Sequence, residues 1–335
     1  MSIKWCVIGA GGIADRRTIP ALLKDSENKL VAIMDRNVET AKRLGEKYGV
    51  LYFTNEEEML KVVDVDAVYI GTPVALHYPQ AMLCLKYNKH VFMEKPISLN
   101  GEEAQNLLTA FRNSGKQLTI GYMMKYHNLH QQAKDIIEQG KIGMVNNVRA
   151  QFSCWYPDID GAWRQNKKLG GGGAIMDLGV HAIELIEYLL NDKIVEVKSF
   201  YSTRTFSYEV EDCGVIIFKT ETGVLGHIDV NFNIPDNASE SKLELYGDKG
   251  YVICYNTLAQ EEKGMLTYLY APQGEYSAIQ SRQTFKPEEY YGENGDLYLK
   301  QIKAFNYLLQ NNLTDYTFTE QAVHVQQVID KIYNG

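Results

Sequence analysis

Apolar residues in the first 120 positions come in short continuous runs, separated by stretches with helical spacing. Six runs are rich in β-branched and other apolar residues and are predicted as strands: IKWCVIGA, KLVAIMD, a short one near GVLYF, VDAVYIG, KHVFME and KQLTIG. Between them, apolar positions recur every three or four residues over 12–24, 38–47, 55–62, 76–86 and 99–114. Apolar strands that alternate with helices indicate a parallel sheet covered on both faces. We therefore predict an α/β domain over residues 1–122, an N-terminal Rossmann doubly wound parallel sheet.

The pattern changes after residue 122. A helix is predicted over 126–139, and two more helical segments lie near 293–311 and 319–333. Between them, polar and apolar residues alternate in VNNVRAQFSCW, IVEVKSFYSTRT, DCGVIIFKT, GVLGHIDVNFN, SKLELYGDKGYVICYN and GMLTYLYAP. ETG and YGDKG are typical of hairpin turns. We therefore predict a C-terminal α+β domain over 123–335, with a large open, mostly antiparallel sheet and a C-terminal helix that packs back on the first domain.

Length, charge and cysteine content argue against several classes of protein. A length of 335 residues exceeds what one hydrophobic core usually serves, in agreement with two domains. The net charge of −8 argues against nucleic acid as the main partner. The longest apolar runs, such as VYIG and GVIIF, are too short to span a bilayer, and no secretory segment precedes the first strand. Five scattered cysteines without a CxxC pair predict neither disulfides nor a metal site, so we expect a cytoplasmic protein without a catalytic metal.

A glycine-rich loop follows the first strand, where VIGAGGIADRR forms the pattern Gly9-x-Gly11-x-x-Ala14. Gly9 permits a tight turn, Gly11 lets the backbone approach a pyrophosphate, and Ala14 lets the next helix pack close to the strand. The helix N-terminus there supplies free N–H groups and a positive dipole end. This loop, with Gly12 and Ile13, predicts a dinucleotide site.

The end of the second strand bears on the choice of cofactor. Asp35 can accept hydrogen bonds from both ribose hydroxyls, and its charge would repel a 2′-phosphate. The adjacent Arg36 could instead accommodate that phosphate. The sequence therefore favours NAD and leaves NADP open.

Two later strand ends carry polar residues. Thr72 and Pro73 end the fourth strand, and Glu94, Lys95 and Pro96 end the fifth. Ligands of such sheets bind beyond the carboxyl ends of the strands, so a lysine fixed there by a proline would point into the binding crevice. A plain surface lysine is the alternative that these residues alone leave open.

The segment GGGGAIMDLGVHAIE, residues 170–184, opens onto a helix that is apolar nearly all round, which predicts burial. A narrow polar strip of Asp177, His181, Glu184 and Tyr188 interrupts it. Buried polar groups need partners or a cavity, so this strip predicts a functional site. The alternative is a solvated Asp–His pair at a helix N-terminus. The glycines would let the backbone pass close to a ligand, or form a mobile loop.

The TP…H…HVFMEKP series and the GGGGAIMDLGVHAIE segment resemble the glucose–fructose oxidoreductase / inositol dehydrogenase / MocA family over essentially the whole chain. KIG at 141–143 and the WR pair ahead of the glycines match as well. The resemblance implies that Lys95, Asp177 and His181 form the catalytic group and also bind the substrate. It further implies a cis peptide at Lys95–Pro96. The open sheet would carry substrate and subunit contacts, and its apolar face predicts a homodimer or homotetramer.

The resemblance also assigns further contacts. Thr72, Pro73, His77, Glu94 and Lys95 would line the cofactor side, although His77 fits a structural role equally well. Independently of the resemblance, aromatic faces and charge-bearing donors suit hydroxyl-rich ligands, so substrate contacts are expected from the following side chains: Lys125, Tyr156, Trp163 and Arg164. Lys125 stands where many relatives have arginine, and Asn128 where they have proline. His127 and His130, three apart on a predicted helix face, are typical of a surface arrangement and receive no role.

We therefore expect an NAD(P)-dependent oxidoreductase that transfers a hydride between a nicotinamide cofactor and a secondary alcohol or ketone of a sugar, polyol or related polyhydroxylated molecule. His181 would act as the general base, since an imidazole titrates near working pH. Lys95 would stabilise the charge on the substrate oxygen, and Asp177 would orient the substrate. Two alternatives stay open: an NAD-dependent glycoside hydrolase or lyase that works by transient oxidation, and a non-catalytic dinucleotide-binding sensor.

Overall fold

The structure is a computed structural model that describes residues 2–260, 263–276, 278, 285–293 and 295–335. The chain divides into two compact units. The first comprises Met1–Met123, Asn166–Gly171 and Asp296–Asp330, and the second comprises Met124–Gln165, Gly172–Gly295 and Lys331–Gly335. The domain boundary between residues 122 and 123 stays a prediction.

A parallel sheet forms the centre of the first unit. Its six strands are β1 (Ile3–Ile8), β2 (Asn28–Met34), β3 (Leu51–Phe53), β4 (Ala67–Ile70), β5 (His90–Met93) and β6 (Leu118–Ile120). Among the described residues their order is β3-β2-β1-β4-β5-β6, and every pair is parallel. This order reverses between β1 and β4, as in a Rossmann fold, so the predicted doubly wound sheet is confirmed.

Helices of the first unit connect these strands. They are α1 (Ile19–Leu23), α2 (Val38–Tyr48), α3 (Glu56–Val62), α4 (His77–Lys86) and α5 (Gly101–Ser114). Asparagine caps begin three of them, because the side-chain oxygens of Asn37, Asn55 and Asn100 accept backbone N–H groups of the first turn. The predicted helix 12–24 differs at its start, since a π-helical turn, Ala14–Thr18, precedes α1. Such turns are frequent at functional sites.

Later segments of the chain complete the first unit. They include α7 (Lys167–Gly170) and α9 (Leu297–Gln310), and α10 (Thr317–Asn334) contributes its residues up to Asp330. The short α7 was not predicted. Phe305 of α9 enters the aromatic core of this unit, with ring centroids 5.2 Å from Trp5 and 5.7 Å from Phe92.

The second unit is built on a larger sheet. Its strands are β7 (Val145–Ser153), β8 (Ile194–Ser202), β9 (Cys213–Thr220), β10 (Leu225–Asn231), β11 (Lys242–Gly247), β12 (Gly250–Tyr255), β13 (Lys263–Tyr270) and β14 (Glu288–Glu293). Within the described ranges their order is β14-β13-β12-β11-β7-β10-β9-β8. The β7–β10 pair is parallel and the others are antiparallel, which confirms the mostly antiparallel sheet.

Sequence patterns located most of these strands. The two predicted hairpin turns are present, because β9 pairs with β10 and β11 with β12 in antiparallel register. Strand β14 was not predicted, and the helix expected near 293–311 begins only at Leu297.

One face of the larger sheet is covered by α6 (Asn128–Glu138) and α8 (Val180–Leu190). The opposite face presents apolar side chains to solvent on β8, β9 and β10. Phe200 is 88% exposed, Ile217 55% and Leu225 54%. Cross-strand register places Phe200 opposite Val215 and Leu225 opposite Lys219, so these residues share that face.

Candidate active site

The glycine-rich loop after β1 fits a dinucleotide. Gly9 has φ +78°, and a Cβ there would lie 2.7 Å from Cγ2 of Thr72. The N–H groups of Gly9 and Ala10 both donate to the Met34 carbonyl, at 2.9 and 3.1 Å. Gly12 has φ +59° and is exposed, and a Cβ there would meet nothing within 4 Å. The turn therefore requires glycine and leaves open space beside Gly12, as close approach of a pyrophosphate demands.

Asp35 is held beside this loop. Its Oδ2 accepts a hydrogen bond from the Gly11 N–H at 3.1 Å, and its Oδ1 accepts one from the Asn37 N–H at 3.0 Å. Arg36 is exposed, whereas Ile13 packs partly buried against the core of the first unit. The carboxylate thus lies at the end of β2 next to the turn.

A buried chain of hydroxyl groups holds Glu94 at the end of β5. The Thr18 hydroxyl donates to the Tyr69 oxygen at 3.0 Å, and the Tyr69 hydroxyl donates to Oε1 of Glu94 at 2.6 Å. Burial, and then the neighbouring Glu94, raise the pKa of Tyr69 well above its ordinary value, so the phenol stays protonated. No sequence pattern indicated this chain, because Tyr69 lies within an apolar run.

His77 ties the ends of β4 and β5 together. Its Nδ1 lies 2.7 Å from the Pro96 carbonyl oxygen and its Nε2 lies 3.0 Å from the Thr72 carbonyl oxygen. Since both neighbours are acceptors, both contacts are hydrogen bonds only when both ring nitrogens carry protons. The Lys95–Pro96 peptide between these strand ends is cis, as the resemblance implied, and Lys95 is half-buried. These contacts support the structural role for His77.

In the second unit, Asp177 and His181 lie on one buried helical segment, as predicted. A π-helical turn, Ile175–Gly179, carries Asp177 and leads directly into α8, which carries His181. His181 is 5% exposed, and its ring centroid lies 6.3 Å from that of Phe152. The π turn shifts Asp177 away from the regular 3.6-residue spacing of an α-helix.

Three predicted substrate contacts gather around Asp177. The Arg164 Nε donates to Oδ1 of Asp177 at 3.2 Å, and the guanidinium lies 4.2 Å from the Trp163 ring centroid. Burial lowers the pKa of Arg164, but Asp177 and Tyr156 outweigh it, so the net shift is upward. Burial raises the pKa of Tyr156, against the effect of Arg164. The second unit therefore brings a carboxylate, a guanidinium and two aromatic rings together.

Lys125 is buried in the interior of the second unit. Its Nζ lies 2.7 Å from Oε1 of Glu184, and the two side chains are 4% and 1% exposed. Burial lowers the pKa of Lys125 and raises that of Glu184, while the attraction between them opposes both shifts. Glu184 belongs to the polar strip that the sequence identified, but its partner, 59 residues away, was not foreseen. A substrate contact for Lys125 stays a prediction.

The expected surface position of His127 and His130 was wrong. Both are fully buried. His127 caps α6, since its Nδ1 accepts the Leu129 N–H at 3.1 Å. His130 lies 2.8 Å from both the Met124 carbonyl oxygen and the Thr257 hydroxyl, and burial lowers its pKa to about 4. Packing of α6 against the sheet, which a helical pattern alone does not reveal, accounts for the difference.

Close contacts within the protein account for glycine at positions 172 and 173. Gly171 has φ +85° and follows α7. A Cβ at Gly172 would overlap the Tyr333 hydroxyl, and one at Gly173 would overlap the Glu211 carbonyl oxygen. Neither Glu211 nor Tyr333 carried a sequence signal. That these glycines also admit a ligand stays a prediction.

Two broader features concern the described part of the chain. No group of three His, Cys, Asp or Glu side chains there is arranged to hold a metal ion. No helix formed by those residues is long and apolar enough to cross a membrane.

Two family models match the chain. The model described as the oxidoreductase family with an NAD-binding Rossmann fold matches residues 3–122. The model described as the GFO/IDH/MocA C-terminal domain matches residues 130–253. Together they cover well over half of the sequence and both parts of the predicted architecture.

Relatives and solved structures agree with these matches. The 1,5-anhydro-D-fructose reductase of Ensifer adhaerens is 27% identical over 266 residues, 79% of each chain. The dTDP-3,4-didehydro-2,6-dideoxy-alpha-D-glucose 3-reductase of Actinomadura kijaniata is 34% identical over 181 residues, 54% of each chain. A 3-ketoreductase structure from Actinomadura kijaniata, in complex with NADP and TDP-benzene, has a TM-score of 0.87 at 24% identity and covers 100% of this chain and 98% of its own. That likeness shows the fold.

Proposed function

The chain belongs to the Gfo/Idh/MocA family of NAD(P)-binding oxidoreductases, and from this premise we propose that it interconverts a secondary alcohol and a ketone on a sugar, polyol or related molecule. The observation that carries the proposal is the buried helical segment that bears His181 and an Arg164-bound Asp177. Relatives named as sugar reductases support this substrate class. The bound nicotinamide supplies the hydride acceptor or donor.

The first unit is proposed to hold the dinucleotide. The loop amides from Gly9 to Ile13 would face the pyrophosphate, and the Asp35 carboxylate would accept hydrogen bonds from the ribose hydroxyls. Thr72, Pro73 and Glu94 would line the nicotinamide side. We propose NAD as the preferred cofactor, since the carboxylate beside Gly11 disfavours a 2′-phosphate. A higher kcat/KM with NADP than with NAD would contradict this preference.

Catalysis is proposed to involve three side chains. Lys95 donates a hydrogen bond to the reacting oxygen of the substrate and stabilises negative charge there. His181 takes the hydroxyl proton in the oxidation and returns it in the reduction. Asp177 orients the substrate hydroxyls, and Arg164 holds its carboxylate in place.

The aromatic and charged groups near Asp177 are proposed to select the substrate. Trp163 and Tyr156 offer ring faces for the apolar side of a sugar. Arg164 offers N–H donors for hydroxyl or carboxylate oxygens. Lys125 is proposed as a further contributor, since its ammonium lies beside Glu184, a member of the polar strip that also contains Asp177 and His181.

The test is a turnover screen with NAD and NADP against polyols, aldoses, uronates and keto-sugars. The variants are Lys95→Ala and His181→Asn, and exposed Lys29→Ala is the matched control. We expect each active-site variant to lose about 10²–10⁴-fold in kcat while NADH affinity stays within about twofold, since a positioned acid–base group contributes that much.

Three results would contradict the proposal. Wild-type rates in Lys95→Ala would remove its assigned role. Release of an aryl group from a glycoside without net NADH would indicate redox-cycled hydrolysis or elimination instead. If sugars change the fluorescence of bound NADH but no compound of the panel is turned over, the protein would be a sensor.

We also propose that two copies of the chain pair, as a homodimer or within a homotetramer, through the apolar face of β8–β10. Phe200, Ile217 and Leu225 form an exposed patch there, and such patches mark interaction sites. Ile217→Glu should lower the mass measured by light scattering to that of a monomer, whereas exposed Lys303→Glu should not. A monomeric wild type would refute the pairing.

The five free thiols support a reducing, cytoplasmic compartment, which fractionation of the native host would test.

A further inference from the structure

Three consecutive amides at the start of the Asp177 segment bind one residue, Glu211. Its Oε1 accepts the N–H of Gly173 at 2.9 Å and that of Ile175 at 3.0 Å. Its carbonyl oxygen accepts the Ala174 N–H at 3.0 Å. The first N–H groups of a helical segment have no partner within it, and Ala174 at the N-cap has no side-chain acceptor. A residue 36 or more positions away thus supplies the cap.

Tyr333, near the end of the chain, completes this arrangement. Its hydroxyl donates to the same Oε1 of Glu211 at 2.7 Å, and its ring contacts Tyr201 in an edge-on geometry at 5.4 Å. Glu211 is 6% exposed. Burial raises the pKa of Glu211, and the Tyr333 hydroxyl and the backbone donors oppose that rise.

The neighbouring glycines show that the contact is close. A Cβ at Gly173 would overlap the Glu211 carbonyl oxygen, and a Cβ at Gly172 would overlap the Tyr333 hydroxyl. The obstruction at Gly173 is backbone, which a side-chain rotation cannot relieve. The start of the helical segment therefore has little freedom to shift relative to these two residues.

We infer that Glu211 and Tyr333 are positioning residues that fix where the segment bearing Asp177 and His181 begins. Asp177 follows Ile175, whose amide Glu211 holds, by only two residues. A change in the first turn would therefore move the carboxylate directly and would turn the helix that carries His181. This inference rests on the catalytic roles proposed above, and neither Glu211 nor Tyr333 is assigned a contact with substrate or cofactor.

The test removes the anchor one group at a time in the full chain. Tyr333→Phe deletes one hydroxyl and keeps the ring, and Glu211→Gln keeps the size and an acceptor oxygen. Tyr307→Phe is the matched control, because Tyr307 is 61% exposed. Hydrogen exchange of the amides in residues 173–181, kcat, KM and NADH affinity are measured for each, and melting curves confirm folding.

For Tyr333→Phe we expect exchange in 173–181 to rise and kcat to fall by about tenfold each, since a hydrogen bond to a charged group carries roughly that factor. NADH affinity should stay within about twofold. Glu211→Gln keeps an acceptor oxygen but removes the charge, so it should shift exchange and kcat in the same direction. Unchanged exchange would overturn the inference. Faster exchange with unchanged kcat would also overturn it, because the anchor would then hold the helix without serving catalysis.

The two proposals fail in different ways. If Lys95→Ala and His181→Asn keep wild-type turnover, the proposed catalytic roles fail. If those variants are inactive while Tyr333→Phe and Glu211→Gln keep wild-type kcat and exchange, only the anchor fails. The exchange measurement needs no substrate, so it decides the structural half of the inference by itself.

Discussion

The Lys125–Glu184 ion pair permits a quantitative test of what stabilises the second unit. The two groups lie 2.7 Å apart, with side chains 4% and 1% exposed. Lys125→Met keeps the length of the side chain and removes its charge, which leaves the Glu184 carboxylate buried without that cation. Breaking a buried pair in this way typically costs about 3–5 kcal/mol.

The cost should depend on pH. Burial already raises the pKa of Glu184 from its ordinary 4.5, although Lys125 lowers it, so removal of Lys125 should raise the pKa further. The folded variant then binds a proton that the unfolded chain has released. Stability falls with rising pH when the folded state binds more protons, by up to about 1.4 kcal/mol per pH unit. Relative to wild type, the loss should therefore grow between the Glu184 pKa of the folded wild type and the higher pKa of the folded variant.

The assay is urea unfolding followed by circular dichroism at pH 5.5 and pH 8. Lys125→Met should be clearly less stable than wild type at pH 8 and closer to it at pH 5.5. The double variant Lys125→Met/Glu184→Leu should come within about 1 kcal/mol of wild type or exceed it, since apolar replacements of buried pairs are often neutral or stabilising. Exposed Lys303→Met is the control. A loss below about 1 kcal/mol at pH 8, or one that does not change with pH, would refute the reasoning.

Three further predictions concern single residues. Gly173→Ala should cost about 1–3 kcal/mol or more in thermal unfolding, because its Cβ meets backbone, whereas Gly274→Ala should be near neutral. Burial raises the pKa of Glu187 from 4.5 to about 8, so the folded state keeps a proton there and the free energy of unfolding falls as pH rises between those values. In urea unfolding, Glu187→Gln should therefore become more stable than wild type by up to about 4 kcal/mol at pH 8. A difference between the two proteins that does not change with pH would contradict this. Asp35→Ser should raise the NADP-to-NAD ratio of kcat/KM by about tenfold or more, since it removes a charge-assisted acceptor and a repulsive charge, and an unchanged ratio would contradict the assignment.

The first sheet was predictable because buried parallel strands are continuous apolar runs. All four residues of β4 are buried, so nothing polar interrupts the pattern. Strand β14 has the sequence EEYYGE and lies at the edge of its sheet, where charged residues are favoured and apolar alternation is weak. Its pattern therefore resembles a loop. The four-residue α7 is too short for helical periodicity to show.

Candidate site residues could be identified from the sequence where a local motif contains them, whereas the residues that hydrogen-bond to them could not. The glycine loop and the lysine before Pro96 occupy strand ends that spacing alone can locate. Lys125 was interpreted from its residue type and His130 from local spacing, yet their partners Glu184 and Thr257 lie 59 and 127 residues away. A charged or imidazole side chain suggests a ligand contact or a surface position until its buried partner is known. Long-range polar pairing is set by packing, which residue spacing does not encode.

The proposed site residues share one feature: hydrogen bonds from neighbouring side chains hold several of them in place. Tyr69 holds Glu94 beside Lys95, His77 joins the strand ends on either side, and Arg164 holds Asp177. A catalytic constellation needs placement within about 0.5 Å, which packed and hydrogen-bonded neighbours provide. Substitutions in these supporting residues should therefore lower kcat more than they weaken dinucleotide binding, because the glycine loop has hydrogen bonds of its own to Met34 and Asp35.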